Sequence, residues 1–222
     1  SGVVKECFNV RIEEIRFIDL KFLCGYSRPT FALLYEDGRK NKHVKTYCID
    51  MNEKELVAGP WCHMYVDRSS CFLIPEPCAA ERSRGDGGGV VLVGMNMVSF
   101  INYATTNAGS APGAGNIVAP LAIANQSSIR FLSYGCIDED GSRYLLGDIY
   151  GTLYVLVLKR QMQAQAGAMV TVGLALEPLG TTSIAAQLCY LSDGLVYVNS
   201  RMGDSQLIRL NSKPVVEEGS EA

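Results

Sequence analysis

The sequence has only two histidines, His43 and His63, no Cys-x-x-Cys pair and no excess of basic residues. It has no run approaching the roughly 18 apolar residues that a membrane-crossing helix needs, and no long, strongly amphipathic helical pattern. Each shortage excludes something. Cys62 and His63 are adjacent, so on a strand they point to opposite faces and cannot act as nucleophile and base. Cys62, His63, Cys71 and Cys78 lack the short repeating spacing of a zinc site. A net charge of −3 runs against a nucleic-acid footprint, which needs clustered lysine and arginine. The expectation is a non-enzyme with no metal and no cofactor, away from the membrane.

Other tempting signals are equally thin. Eight cysteines could pair, but disulfide scaffolds are short and secreted, and no signal peptide stands at this N-terminus. The thiols are therefore expected to be reduced, and the sequon Asn125-Gln126-Ser127 carries little weight. Gly85-Asp86-Gly87-Gly88-Gly89 lacks the Gly-Lys-Ser/Thr ending of a phosphate loop. Asp138, Glu139 and Asp140 beside Gly141 lack the spaced ligands of a calcium loop and suit a polar turn. The basic run 39–45 suits a solvated hairpin tip.

What the chain does contain is a repeat. Residues 195–210 read as strand, tight turn, strand: Val196 and Val198 alternate with Tyr197 and Asn199, and Gly203-Asp204 supplies turn residues. Similar hairpins turn at Gly38, at Met95-Asn96 and at Tyr150-Gly151. They begin near positions 30, 90, 143 and 195. A short apolar segment precedes each hairpin (17–23, 71–75, 129–134, 183–191), and another trails the first three (60–66, 117–124, 170–176). Four short strands at a period of roughly 40–60 residues is the arithmetic of a β-propeller blade. The expected fold is all-β: a partial arc of about four four-stranded antiparallel blades from a seven-bladed propeller. The blades fall at approximately 15–67, 70–124, 129–178 and 183–210, the last without its outer strand, followed by a flexible acidic tail over 211–222. The polar, glycine-rich stretches 79–88 and 105–116 read as mobile loops. An open arc starting at Ser1-Gly2, with no initiator methionine, is expected to be part of a longer polypeptide or to be completed by other segments.

Several motifs occur together in one order: Phe8-Asn9-Val10-Arg11-Ile12-Glu13-Glu14, His43-Val44-Lys45-Thr46-Tyr47, Gly59-Pro60-Trp61, Pro75-Glu76-Pro77, Ser142-Arg143-Tyr144-Leu145-Leu146-Gly147-Asp148 and Ser200-Arg201-Met202-Gly203-Asp204-Ser205-Gln206-Leu207. From about Phe8 to Leu210 the chain resembles the family of the large subunit of damage-specific DNA-binding protein. The resemblance implies a protein-interaction scaffold in nucleus and cytoplasm, part of the adaptor of a cullin 4 ubiquitin ligase active in DNA damage repair. This chain would form the middle of the first of three propellers. Its partners would be the remaining propellers of the same polypeptide and a helical motif of substrate receptors. Cullin 4 would dock through a part outside this chain, and DNA would be contacted only indirectly. The partner-binding residues implied are Arg201 and Met202, with Tyr190 and Asp193, where Asp193 replaces the family's asparagine. Propeller scaffolds of splicing and mRNA 3′-end processing complexes belong to the same superfamily and are the alternative.

Overall fold

In a computed structural model of the chain, the described residues are 4, 6–77, 87–95, 97–102, 117–120, 129–163 and 168–211. They form fifteen strands and no helix. The first sheet holds β1 (Arg16–Leu23), β2 (Thr30–Glu36), β3 (Lys42–Asp50) and β4 (Glu55–Val66). The second holds β5 (Phe72–Pro75), β6 (Val90–Val93), β7 (Met97–Ile101) and β8 (Ile117–Pro120). The third holds β9 (Phe131–Cys136), β10 (Arg143–Asp148), β11 (Thr152–Gln163) and β12 (Ala168–Thr181). The last holds three strands, β13 (Ala185–Tyr190), β14 (Leu195–Ser200) and β15 (Gln206–Arg209). Within each sheet, strands pair with their sequence neighbours, and every pair is antiparallel.

Strand alternation explains how the sheets stack. Ala32, Leu34 and Val44 leave one face of the first sheet and bury against Leu73, Val90 and Leu92 of the second. Val91, Val93 and Phe100 point the other way and meet Phe131, Tyr144 and Leu156 of the third. Leu145 and Leu153 in turn meet Leu188, Val196 and Val198 of the fourth. A period of two thus gives each inner sheet two apolar faces, and face-to-face stacking hides both. The first strand of each sheet, β1, β5, β9 and β13, lines one shared cleft, so the four sheets fan around a common axis. This is the expected propeller arc.

The outward face of the first sheet is covered by the N-terminal segment. Ile12 packs on Phe31, Leu33 and Tyr47. The Glu14 carboxylate accepts hydrogen bonds from Tyr47 Oη at 2.6 and 2.7 Å and from Lys45 Nζ at 2.9 Å.

All four expected hairpins form, with β2–β3, β6–β7, β10–β11 and β14–β15 antiparallel. At Gly151 the backbone has φ +83°, and a Cβ would run into the Thr182 carbonyl oxygen. Glycine is the residue that fits there.

Two expectations need correction. The basic run is a solvated tip only over residues 38–40. Lys42 Nζ donates to the Ser70 carbonyl at 2.5 Å, His43 is buried, and Lys45 pairs with Glu14. β3 begins inside the run, and its side chains follow the strand inward. The trailing strands also begin earlier than 60 and 170: β4 starts at Glu55 and β12 at Ala168. Each lies at the outer edge of its sheet, where proline is tolerated and one side faces water, so an apolar run does not mark the ends. Asn96, Cys78, the sequon 125–127 and nearly all of 79–88, 105–116 and 211–222 lie outside the described residues.

Candidate partner-binding site

Arg201 and Met202 sit on the turn between β14 and β15, and side-chain hydrogen bonds hold that turn. The Met202 N–H donates to Ser200 Oγ at 3.2 Å, and the Ser200 N–H to Ser205 Oγ at 3.3 Å. From the preceding connection, the Ser183 N–H donates to Gln206 Oε1 at 2.9 Å and Ser183 Oγ to the Asp204 carbonyl at 2.8 Å. The serines of the motif thus satisfy backbone groups that a bare turn would leave to water. The result is a fixed backbone carrying two outward side chains, with Met202 80% exposed.

Both side chains border a cleft of about 660 Å³, together with Leu132, Ile149, Ile184 and Gln187. It opens between the third and fourth sheets on the side of the β10–β11 and β14–β15 turns. Its lining joins apolar side chains to the amides of Gln187 and Asn199 and to one guanidinium. That combination has the chemistry to hold an apolar anchor beside a carboxylate or a carbonyl.

The other two expected residues are elsewhere. Tyr190 pairs with Val196 at the far end of β14, while Arg201 follows Ser200 at the near end. Five residue steps separate the two ends, roughly 17 Å. Asp193 has φ +51° and Gly194 φ +78°, and the Leu195 N–H closes onto the Ser192 carbonyl at 2.8 Å. Two successive positive φ values make this a type I′ hairpin turn, which favours Asp-Gly or Asn-Gly. The turn therefore explains the aspartate, and an asparagine there equally well. Tyr190 Oη accepts the Gly194 N–H at 3.0 Å, and its ring packs against the core between the third and fourth sheets. The structure brings Arg201 and Met202 together. It places Tyr190 and Asp193 at the opposite end of β14, where they help to shape the turn.

Sequence reasoning missed Leu132, Ile149 and Ile184. Each reads as an ordinary apolar strand or turn residue, and only the stacking of sheets puts them beside Arg201. It missed Arg130 as well, which precedes β9 and lines the shared cleft of the inner strands.

Among the described residues, the cysteines and histidines are not activated by their surroundings. Burial pushes the Cys62 thiol up and the His63 imidazole down, so neither is drawn into its charged form. Burial likewise raises Cys71 and Cys136. Among the described residues no three of His, Cys, Asp and Glu are placed to share a metal ion. Asp138 is bound by Arg143 at 2.7 and 2.8 Å, and Asp140 by Ser142, which makes the acidic cluster a braced turn.

A family model described as RSE1/DDB1/CPSF1 first beta-propeller matches residues 2–220. DNA damage-binding protein 1 of Oryza sativa subsp. japonica is 40% identical over 211 residues, which is 95% of this chain and 17% of that protein. DNA damage-binding protein 1b of Arabidopsis thaliana is 38% identical over 214 residues, 96% of this chain and 17% of that protein. DNA damage-binding protein 1a of the same plant is 37% identical over the same span. This chain therefore covers about 17% of the length of these curated relatives.

Proposed function

Since this chain belongs to the RSE1/DDB1/CPSF1 first β-propeller family, we propose that it is one wall of a protein-docking cleft in a non-catalytic scaffold. The scaffold is the adaptor of a cullin 4 ubiquitin ligase acting in DNA damage repair, in nucleus and cytoplasm. A helical segment of a substrate receptor docks against Arg201 and Met202. Cullin 4 binds a different part of the polypeptide, and DNA is reached only through another subunit. The observation that carries this reading is the braced turn: two exposed side chains of different chemistry held on a rigid backbone at the rim of an apolar cleft. A rigid backbone loses little freedom on binding, so more of the contact energy appears as affinity. The methionine adapts to varied apolar side chains, and the arginine bonds carboxylates or the free carbonyls at a helix C-terminus.

The reading is tested by placing a photo-crosslinking amino acid at position 202 or at position 65 of the full-length protein, with receptor and cullin 4 both present. Tyr65 is 72% exposed on β4, far from the cleft. Crosslinking of the receptor from position 202, none from position 65, and no cullin at either is the expected result. Cullin captured at 202, or equal receptor capture at both positions, contradicts it.

A further inference from the structure

Next to the cleft at Arg201 lies the second cleft, of about 500 Å³, lined by the inner strands β1, β5, β9 and β13. The two share Leu132, Ala186 and Gln187, so they form one continuous groove. The charges along it are uneven. Asp19 already accepts the N–H groups of Leu73 and Leu20, at 2.8 and 2.9 Å, and lies 3.5 Å from Lys21. Lys21 is further engaged over the Tyr134 ring, 5.6 Å from its centroid. The guanidinium groups of Arg130 and Arg201 have no hydrogen-bond or ion-pair partner among the described residues. Both stand on fixed backbones, because the Ile149 N–H holds the Arg130 carbonyl at 3.0 Å. Two exposed guanidinium groups without a protein partner thus border the stretch of Leu132, Ala186 and Gln187 that joins the clefts, in a chain whose net charge is −3.

We propose that this groove receives a single acidic peptide segment, with one carboxylate on Arg201, a second on Arg130 and an apolar side chain between them on Leu132. The inference rests on the docking role given to Arg201 and adds two things to it: Arg130 as a specificity residue, and an acid–apolar–acid pattern in the partner. Local positive potential in an otherwise acidic molecule selects such a segment and repels a basic one. A guanidinium fork suits a carboxylate in particular, since the two meet bidentately.

The test selects a phage-displayed library of random dodecapeptides on the full-length protein and on its R130E and R201E variants. Wild type is expected to enrich peptides with an apolar residue flanked on both sides by Asp or Glu. R130E should lose the acid on one flank only, and R201E the acid on the other. In fluorescence anisotropy the best wild-type peptide should bind R130Q about tenfold more weakly, and a peptide with that acid changed to lysine should regain affinity for R130E. If R201E changes the selection but R130E and R130Q do not, the inference fails while the docking role of Arg201 stands. If R130E alone changes it, Arg201 is not part of the site and both fail. No acidic enrichment, or a (dT)12 oligonucleotide that outcompetes the peptides in an Arg130-dependent way, overturns the acidic segment as the occupant.

Discussion

Single side chains fix the hairpins more firmly than turn propensity requires. Asp37 accepts the N–H groups of Asn41 and Arg39, each at 2.8 Å, and the His43 ring at 3.1 Å. His43 Nδ1 accepts the Tyr65 N–H at 3.1 Å, so Nε2 carries the proton given to Asp37. One buried ring therefore ties the β2–β3 turn to β4, where Tyr65 has φ +59°. The bond from the Asn41 N–H, with those from His43 and Arg39, holds the Asp37 carboxyl well below the usual carboxylate range. A depressed folded-state pKa stabilises fully above the unfolded value near about 4 and is lost as pH falls through the folded value. Glu14 follows the same sign: burial pushes it up, but the bonds from Tyr47 and Lys45 outweigh that and leave it lowered. In D37N, hydrogen exchange over residues 37–66, corrected for its intrinsic pH dependence, should be faster than in wild type at neutral pH. The gap should narrow progressively below about pH 4. A gap that stays constant on acidification would show that the charge of Asp37 is not what holds the turn.

Among elements, the second and third sheets are joined by a buried ion pair as well as by apolar packing. Arg160 on β11, its side chain 9% exposed, bonds Glu76 just after β5 at 3.0 Å; the Glu76 side chain is 1% exposed. Glu76 also takes the Gly89 N–H at 3.0 Å, and Arg160 donates to the Gly141 carbonyl at 3.1 Å. Removing Glu76 leaves the buried Arg160 with the half-exposed Asp140, 3.3 Å away, as its one remaining carboxylate partner among the described residues. Glu76→Ala should cost about 3–5 kcal/mol, read as a lower urea midpoint; a loss under about 1 kcal/mol would mean that water reaches Arg160. Gly151→Ala should cost at least about 1–2 kcal/mol, because φ there is positive and the Thr182 carbonyl blocks the Cβ. An unchanged midpoint would show that the turn can rearrange.

The hairpins were legible in the sequence because period-two alternation and turn residues are local signals. The Asp193-Gly194 turn carried the same kind of signal, and its two positive φ values account for an Asp-Gly pair there. The Glu76–Arg160 pair was not legible: its members lie 84 positions apart, and nothing short-range links a glutamate after one strand to an arginine inside another.

For the whole molecule, four stacked sheets turn a linear repeat into a curved wall. The arc was readable from spacing alone. Arg201 and Met202 were singled out through family resemblance, whereas the cleft beside them exists only because β9 and β13 pack side by side. That packing brings Leu132, Ile149 and Ile184 to the β14–β15 turn and continues the cleft to Arg130. The proposed docking would therefore depend on inter-sheet geometry as well as on the turn. Leu146→Ala, in the fully buried core between the second and third sheets, should cost about 2–5 kcal/mol of stability and loosen the cleft beside Arg201 with it. Receptor affinity unchanged in a variant destabilised to that extent would show that the cleft does not rely on this packing.

The docking role is tested most directly by calorimetric titration of a substrate receptor into the full-length protein carrying R201A and M202A together. The account predicts binding weaker by roughly 1–3 kcal/mol, the range of an interface anchor, with folding and cullin 4 affinity unchanged. Receptor affinity equal to wild type would contradict it and return both residues to an ordinary exposed turn.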